Sequence, residues 1–313
     1  MAKPEGRPGP DFAVILNTDS GDGDQGASPG EIERLFTDRD CEVRIFSLRA
    51  GGNIADAVSK AIASGAKCVV AAGGDGTICG VAGALVGTGV ELGVIPLGTF
   101  NYFARGCGIP QEVDEAVDAV CCGTSRPINL GSINGEVFLN NASLGLYAAI
   151  LARREGIYRK WGRSRLAAYW SVLATMATVH RPLTMRITID GEVRRDKSPM
   201  IFVAVSAYQL DEFGIEGADA IRSGEFAVLL APNCGRFRLI WKALLIALHG
   251  VQEGRDFKLL TGKNVVVETR RSRALVARDG ERERMTAPFT FRLLEDAIQL
   301  RVPDPEKPTD AAP

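Results

Sequence analysis

The run Gly73-Gly74-Asp75-Gly76-Thr77 sets three glycines around a carboxylate and a hydroxyl, between an apolar stretch and a helical pattern. Glycines in such a turn let backbone N–H groups swing toward phosphate oxygens, and a helix starting there adds the positive end of its dipole. Asp75 suits a cation or a hydroxyl held in the turn. A plain strand-to-helix turn capped by Thr77 uses the same residues with no ligand. A second glycine turn, Pro96-Leu97-Gly98-Thr99-Phe100-Asn101, ends the next apolar run. If the two runs are parallel strands, both turns leave the same sheet edge, where ligands bind in open α/β folds.

Other motifs carry less. Gly21-x-Gly23-x-x-Gly26 has the spacing of a dinucleotide loop, but Asp19, Asp22 and Asp24 crowd the pyrophosphate position and the helix starts only at Ser28. A flexible acidic loop is the preferred reading there. No G-x-x-x-x-G-K-[ST] run is present. Asp279-Gly280 and Asp190-Gly191 are dipeptides of tight hairpin turns. His180 and His249 stand alone at apparent helix ends, where a dipole contact or a surface role outweighs catalysis.

The elements that must position these turns alternate in the first third of the chain. Phe12–Leu16, Val43–Leu48, Lys67–Ala72 and Leu92–Ile95 are short apolar or alternating runs suited to strands. Between them, Ser28-Pro29-Gly30-Glu31 has the form of a capping box opening a helix to about Asp38, and Asn53 caps a helix that Gly65 ends. Helices over Thr77 to about Val86 and Gln111–Cys121 complete a β-α-β-α-β-α-β-α order. That order predicts an N-terminal three-layer α/β domain with a mostly parallel sheet.

Near residue 127 the rhythm changes. Ile128–Leu130, Val137–Asn140, Leu183–Ile189, Met200–Val205, Phe226–Leu230, Asn264–Glu268, Ala274–Ala277, Phe289–Leu293 and Ile298–Val302 all pattern as strands. Helical patterns interrupt near 145–155, 165–180 and 236–249. The expectation is a second, β-rich and largely antiparallel domain, with a nucleotide cleft between the two. The boundaries are a disordered tail over 1–10, a first domain over 11–130, a second over 131–303 and a tail over 304–313.

Composition narrows the functional classes. Of 313 residues, 37 are Lys or Arg and 38 are Asp or Glu, a formal net charge of −1, so no global basic field exists to hold nucleic acid. The hydrophobic set is 46%, which excludes whole-chain disorder. Seven cysteines form no CxxC pair, and the polar, Pro/Gly-rich start has no apolar h-region, so reduced thiols and a cytoplasmic location are expected. No window is apolar enough for a transmembrane helix.

The two glycine turns carry a family pattern. Ala72–Thr77, followed by Gly93-Val94-Ile95-Pro96-Leu97-Gly98-Thr99-Phe100-Asn101-Tyr102-Phe103-Ala104-Arg105, resembles the diacylglycerol kinase catalytic domain. That family includes bacterial lipid kinases and sphingosine kinases and is distantly similar to NAD kinases. Asn17-Thr18-Asp19-Ser20-Gly21 resembles its first nucleotide motif, Asn129–Gly135 followed by Phe138–Gly145 the segment joining its domains, and Asp279-Gly280-Glu281 its late D-G-E motif.

The resemblance implies a two-domain kinase using ATP with Mg²⁺. ATP would lie on Asn17, Ser20, Gly21, Gly73, Gly74, Asp75, Gly76, Thr77, Gly98, Thr99 and Asn101. Asp279 is then the candidate general base, Glu281 its acidic neighbour and Asp75 the rival base. The acceptor would be a lipid hydroxyl at the membrane surface, most simply diacylglycerol giving phosphatidic acid. A sphingoid base or another lipid alcohol, or a catalytically silent nucleotide-binding regulator, are the alternatives, and homodimerisation stays open.

Three departures from the pattern stand out: Thr18 for Pro, Tyr102 for Asp, and Ser223-Gly224-Glu225-Phe226 where many members have Asp-Gly. Serine is a poor substitute for a carboxylate ligand, which counts against a structural Mg²⁺ there. Peripheral membrane contact is expected through Arg153, Arg154, Arg159, Lys160, Arg163 and Arg165 beside Trp161, Tyr169 and Trp170, although a core helix with a solvated basic start uses the same residues.

Overall fold

The computed structural model describes residues 10–18, 27–49, 52–151, 182–234 and 257–304. Residues 1–9 and 305–313 of the tails, the acidic glycine loop with Ser20 and Gly21, the 153–165 basic cluster, the helical patterns at 165–180 and 236–249, His180 and His249 lie outside them. The chain divides into two compact units, one drawn from 1–129 and 296–313 and the other from 130–295.

The first unit alternates strands and helices: β1 (Phe12–Asn17), α1 (Pro29–Thr37), β2 (Val43–Leu48), α2 (Ile54–Ala63), β3 (Cys68–Gly73), α3 (Asp75–Leu85), β4 (Glu91–Pro96), α4 (Tyr102–Gly106) and α5 (Val113–Cys122). The strands run parallel in the order β2-β1-β3-β4. Phe12, Val14 and Leu16 share one core with Ile32, Leu35 and Phe36 of α1 and Ala116, Val117 and Val120 of α5. The opposite side chains of β1, Ala13 and Ile15, are also fully buried, and α2 packs against β1 while α3 packs against β3. Sheets buried on both faces need the near-continuous apolar runs that these strands carry.

Local chemistry sets the helix starts. Ser28 Oγ accepts the Glu31 N–H at 3.2 Å, and Asn53 Oδ1 accepts that of Asp56 at 3.3 Å. Each removes one orphan donor from a helix N-terminus. The third helix begins at Asp75, two residues before the expected Thr77, because Gly74 and not Thr77 stands at the cap.

In the second unit the strands are β5 (Thr124–Ile133), β6 (Glu136–Phe138), β7 (Asn141–Gly145), β8 (Leu183–Ile189), β9 (Glu192–Ser198), β10 (Met200–Ala204), β11 (Phe226–Leu230), β12 (Lys258–Gly262), β13 (Asn264–Thr269), β14 (Arg273–Arg278), β15 (Glu281–Thr286) and β16 (Phe289–Val302). Short helices α6 (Ala207–Glu212) and α7 (Ala218–Arg222) precede β11. The residues 289–292 of β16 pair antiparallel with β13, which continues to β8 and β9. A second antiparallel sheet runs β12-β11-β10-β7-β14-β15. Phe138, Leu144, Ile187, Val203, Phe226, Val267, Val276 and Phe291 belong to one core between these layers.

Two strands, β5 and β16, begin in one unit and end in the other. Leu300 of β16 pairs parallel with Leu92 of β4. Residues 296–302 therefore fall with the first unit, where the sequence reading had placed them in the second domain. The two short apolar runs at 289–293 and 298–302 are one strand.

Candidate active site

The two glycine turns are in direct contact. A methyl group on Gly98 would lie 2.7 Å from the Gly74 Cα and 2.7 Å from Asn101 Oδ1, closer than side-chain carbons approach. The Leu97 N–H donates to the Gly73 carbonyl at 2.9 Å, carrying the strand register into the turns. Asn101 sits in the left-handed region at φ 51, a conformation Asn tolerates better than most residues. From there its Oδ1 accepts the Gly98 N–H at 3.0 Å and its Nδ2 donates to the Gly98 carbonyl at 2.8 Å. Asn101 is thus a buried clasp that fixes the second turn.

Asp75 ties the turns together from the other side, its Oδ1 accepting the Phe103 N–H at 3.3 Å. Asn17, at the end of β1, donates from Nδ2 to Thr77 Oγ1 at 3.0 Å. Thr77 packs over Gly73, where any side chain would strike it. So Asn17, Gly73, Gly74, Asp75, Thr77, Gly98 and Asn101 are assembled at one edge of one sheet. Gly76 and Thr99 are exposed beside them.

The start of α3 differs from those of α1 and α2. Its cap residue, Gly74, has no side chain to accept a first-turn N–H. Helix starts of this kind attract anions through those amides and the helix dipole. Phe100, 56% exposed, stacks on Tyr102 with ring centroids 5.6 Å apart. Among residues that the sequence reading passed over, Gln111 accepts from Asn101 Nδ2 at 3.1 Å and so braces the clasp. A polar residue ten positions after Asn101 gives no signal without the fold.

In the second unit, Asp279 and Gly280 form the expected tight turn, at φ 45 and φ 88. The Asp279 carboxylate accepts three backbone N–H bonds, from Leu139 at 2.6 Å, Asn140 at 2.8 Å and Asn141 at 3.1 Å. Asp190, in the Asp190-Gly191 turn, does nearly the same for Lys263 at 3.0 Å and Asn264 at 2.9 Å. Burial pushes the Asp190 carboxyl up, but the Asn264 and Lys263 N–H bonds outweigh it and hold it below the usual carboxylate range. Glu281 is exposed at the start of β15. Asn141 Nδ2 donates to Gln209 Oε1 at 2.7 Å in a buried pair that the sequence did not suggest.

Ser223 ends α7 as its C-cap. Among the described residues, no group of three or more His, Cys, Asp or Glu is placed to hold a metal ion. All seven cysteines are free thiols. No described helix is long and apolar enough to cross a membrane.

Comparison with known proteins agrees with this arrangement. Residues 11–133 match the model of the diacylglycerol kinase catalytic domain. A probable lipid kinase YegS-like protein of Pseudomonas aeruginosa (strain UCBPP-PA14) is 47% identical over 97 residues, 30% of this chain and 32% of that protein. The match thus spans about a third of that relative. The diacylglycerol kinase of Bacillus subtilis (strain 168) is 28% identical over 255 residues, 80% of this chain and 83% of the relative. A crystal structure of a diacylglycerol kinase from Bacillus anthracis str. Sterne superposes with a TM-score of 0.71 at 21% identity, covering 96% of this chain and 99% of that one. Over residues 11–133, the α/β unit bearing the two glycine turns is therefore similar to the diacylglycerol kinase catalytic domain.

Proposed function

We propose that the protein is a lipid kinase that transfers the γ-phosphate of ATP to a lipid hydroxyl, with diacylglycerol as the first acceptor to examine. The observation that carries this reading is the contact between Gly74 and Gly98 beside an uncapped helix start, within a domain matched to lipid kinases. Glycine at both positions lets the two turns pack this closely, and the uncapped first-turn amides of α3 are the donors that phosphate oxygens would use. Mg²⁺, when bound with ATP, would neutralise charge on the phosphates, and Asp75 is the carboxylate we assign to hold it.

In this mechanism the chain mainly positions and neutralises. Phosphoryl transfer needs little covalent help, so aligned donors lower the barrier most. The Asn101 clasp keeps the second turn in register, and Asn17 holds Thr77. Asp279 and Asp75 are the two rival candidates for the base that takes the proton of the attacking hydroxyl. Asp279 also braces residues 139–141, and a base role has to coexist with that brace.

The acceptor is tested by incubating the protein with ATP labelled at the γ-phosphate, Mg²⁺ and a total lipid extract, then identifying the labelled product. Labelled phosphatidic acid is the expected result. A labelled sphingoid phosphate would move the acceptor, and ATP binding without any labelled lipid would favour a silent nucleotide-binding regulator.

A further inference from the structure

The second unit contains a cavity of about 660 Å³ whose lining includes Arg270, Arg271, Arg273 and Arg284 together with Leu183 and Leu275. Arg270 and Arg271 lie in the turn between β13 and β14, and Arg273 opens β14. Leu275 stands two residues on, which puts it on the same face as Arg273. Arg284 of β15 lies directly opposite Leu275. Three segments therefore deliver four guanidinium groups and an apolar wall to one space.

The charge there is unbalanced. Arg186, Arg194, Arg222 and Arg278 of the same unit each have an acidic partner, Glu268, Glu192, Asp211 with Asp219, and Glu136 in turn. No ion pair involving Arg270, Arg271, Arg273 or Arg284 occurs among the described residues, and all four are exposed. The whole chain has a net charge of only −1, so this concentration of positive charge is local. Like charges lining one concave space repel unless an anion enters, and the same field draws anions in. Guanidinium is the side chain best matched to phosphate oxygens, which it binds through paired N–H donors. The volume falls within the ~300–1,000 Å³ usual for small-molecule sites.

We infer that this cavity of the second unit is a binding site for the phosphate-bearing headgroup of an anionic lipid. Arginines alone would suit any phosphate ester. The leucine wall beside them favours an amphiphile, whose phosphate meets the guanidinium groups while its glycerol or upper chain lies on Leu183 and Leu275. The site stands apart from the kinase reading, because it requires neither ATP nor turnover.

The test is vesicle binding by the full chain without nucleotide. The vesicles are phosphatidylcholine alone or phosphatidylcholine containing phosphatidylglycerol, with inorganic phosphate at matched ionic strength as the soluble competitor. Wild type is expected to bind only the anionic vesicles. Removing an arginine near such a surface costs about fivefold in affinity, so R271Q/R273Q should bind roughly 25-fold more weakly. The control R195Q/R292Q removes two exposed charges elsewhere in the unit and should change binding by less than fivefold. Should R271Q/R273Q fail to give a cooperative thermal transition, R270Q/R284Q takes its place with the same expectation. Equal losses in test and control pairs would overturn the proposal, as would absence of anionic-vesicle binding by wild type. Displacement of the vesicles by inorganic phosphate would assign the site to soluble phosphates and overturn the lipid assignment.

Discussion

At the scale of single residues, Asp279 and Asp190 supply each other's control. Both open a tight Asp-Gly turn, and both carboxylates accept backbone N–H bonds from a neighbouring segment. Asparagine keeps the shape but replaces one acceptor oxygen by a donor nitrogen. At least one backbone N–H then loses its partner, at about 1–3 kcal/mol where the group is buried. Asp279→Asn is therefore expected to lower unfolding stability, as chemical denaturation will read. If Asp279 is also the base, turnover falls by about 10²–10⁴-fold at saturating ATP. Turnover near wild type in a destabilised Asp279→Asn protein would leave Asp279 as a brace and pass the base to Asp75.

Asp190 gives the pH dependence its sign. Its carboxyl is held below the ordinary value of 3.8 in the folded chain. The stability it contributes is fully present above that value and is lost as the pH falls through the lower, folded one. The unfolding free energy of Asp190→Asn should therefore fall less steeply than that of wild type below about pH 4. Parallel acid slopes for the two proteins would contradict the brace at Asp190.

At the scale of elements, apolar patterning reveals most of the buried strands, misses the buried β7, whose Asn-Ala-Ser start is largely polar, and conceals three sheet edges. β1, β3 and β11 have every core position filled and read directly from their apolar runs. β9, β12 and β15 were absent from the sequence reading, and all three are sheet edges. Glu192–Ser198 and Glu281–Thr286 are almost wholly polar because only one side of an edge strand meets another strand. The glycine turns were readable because glycine has few other reasons to cluster between a strand and a helix. The Asn101 clasp and its Gln111 brace were not, since their pairing exists only once α4 is in place.

The first turn of α3 yields a prediction of its own. Gly74 has φ −81 and ψ 179, which serine adopts readily, and a Cβ there would meet Gly98 at an ordinary 3.4 Å. Gly74→Ser should preserve or raise stability by a few tenths of a kcal/mol, since serine caps helices slightly better than glycine. The new hydroxyl would occupy amides that the account reserves for phosphate. Giving up that cap bond, worth about 1–1.5 kcal/mol, should weaken ATP binding roughly tenfold. Calorimetric titration beside thermal unfolding separates the two effects. Unchanged ATP affinity in the Gly74→Ser protein would mean that phosphate does not use this helix start.

For the molecule as a whole, the order of elements foretold an α/β unit followed by a β-rich one, but not the return of the chain. The last strand pairs with β4, so the first unit is built from both ends of the sequence. A run of residues after 295 carries no label of the unit it joins, because the parallel partner lies some two hundred positions away. In the proposed kinase, Gly74 and Gly98, in contact on two turns of one sheet edge, would together receive the phosphates of ATP. The most direct test is ATP binding by Gly98→Ala, measured by calorimetric titration with Mg²⁺ present. The added methyl meets the Gly74 backbone at 2.7 Å, so the turns must separate. Gly98→Ala is expected to fold with a cooperative transition and to bind ATP at least tenfold more weakly, and wild-type affinity in that folded variant would rule out phosphate binding by the two turns.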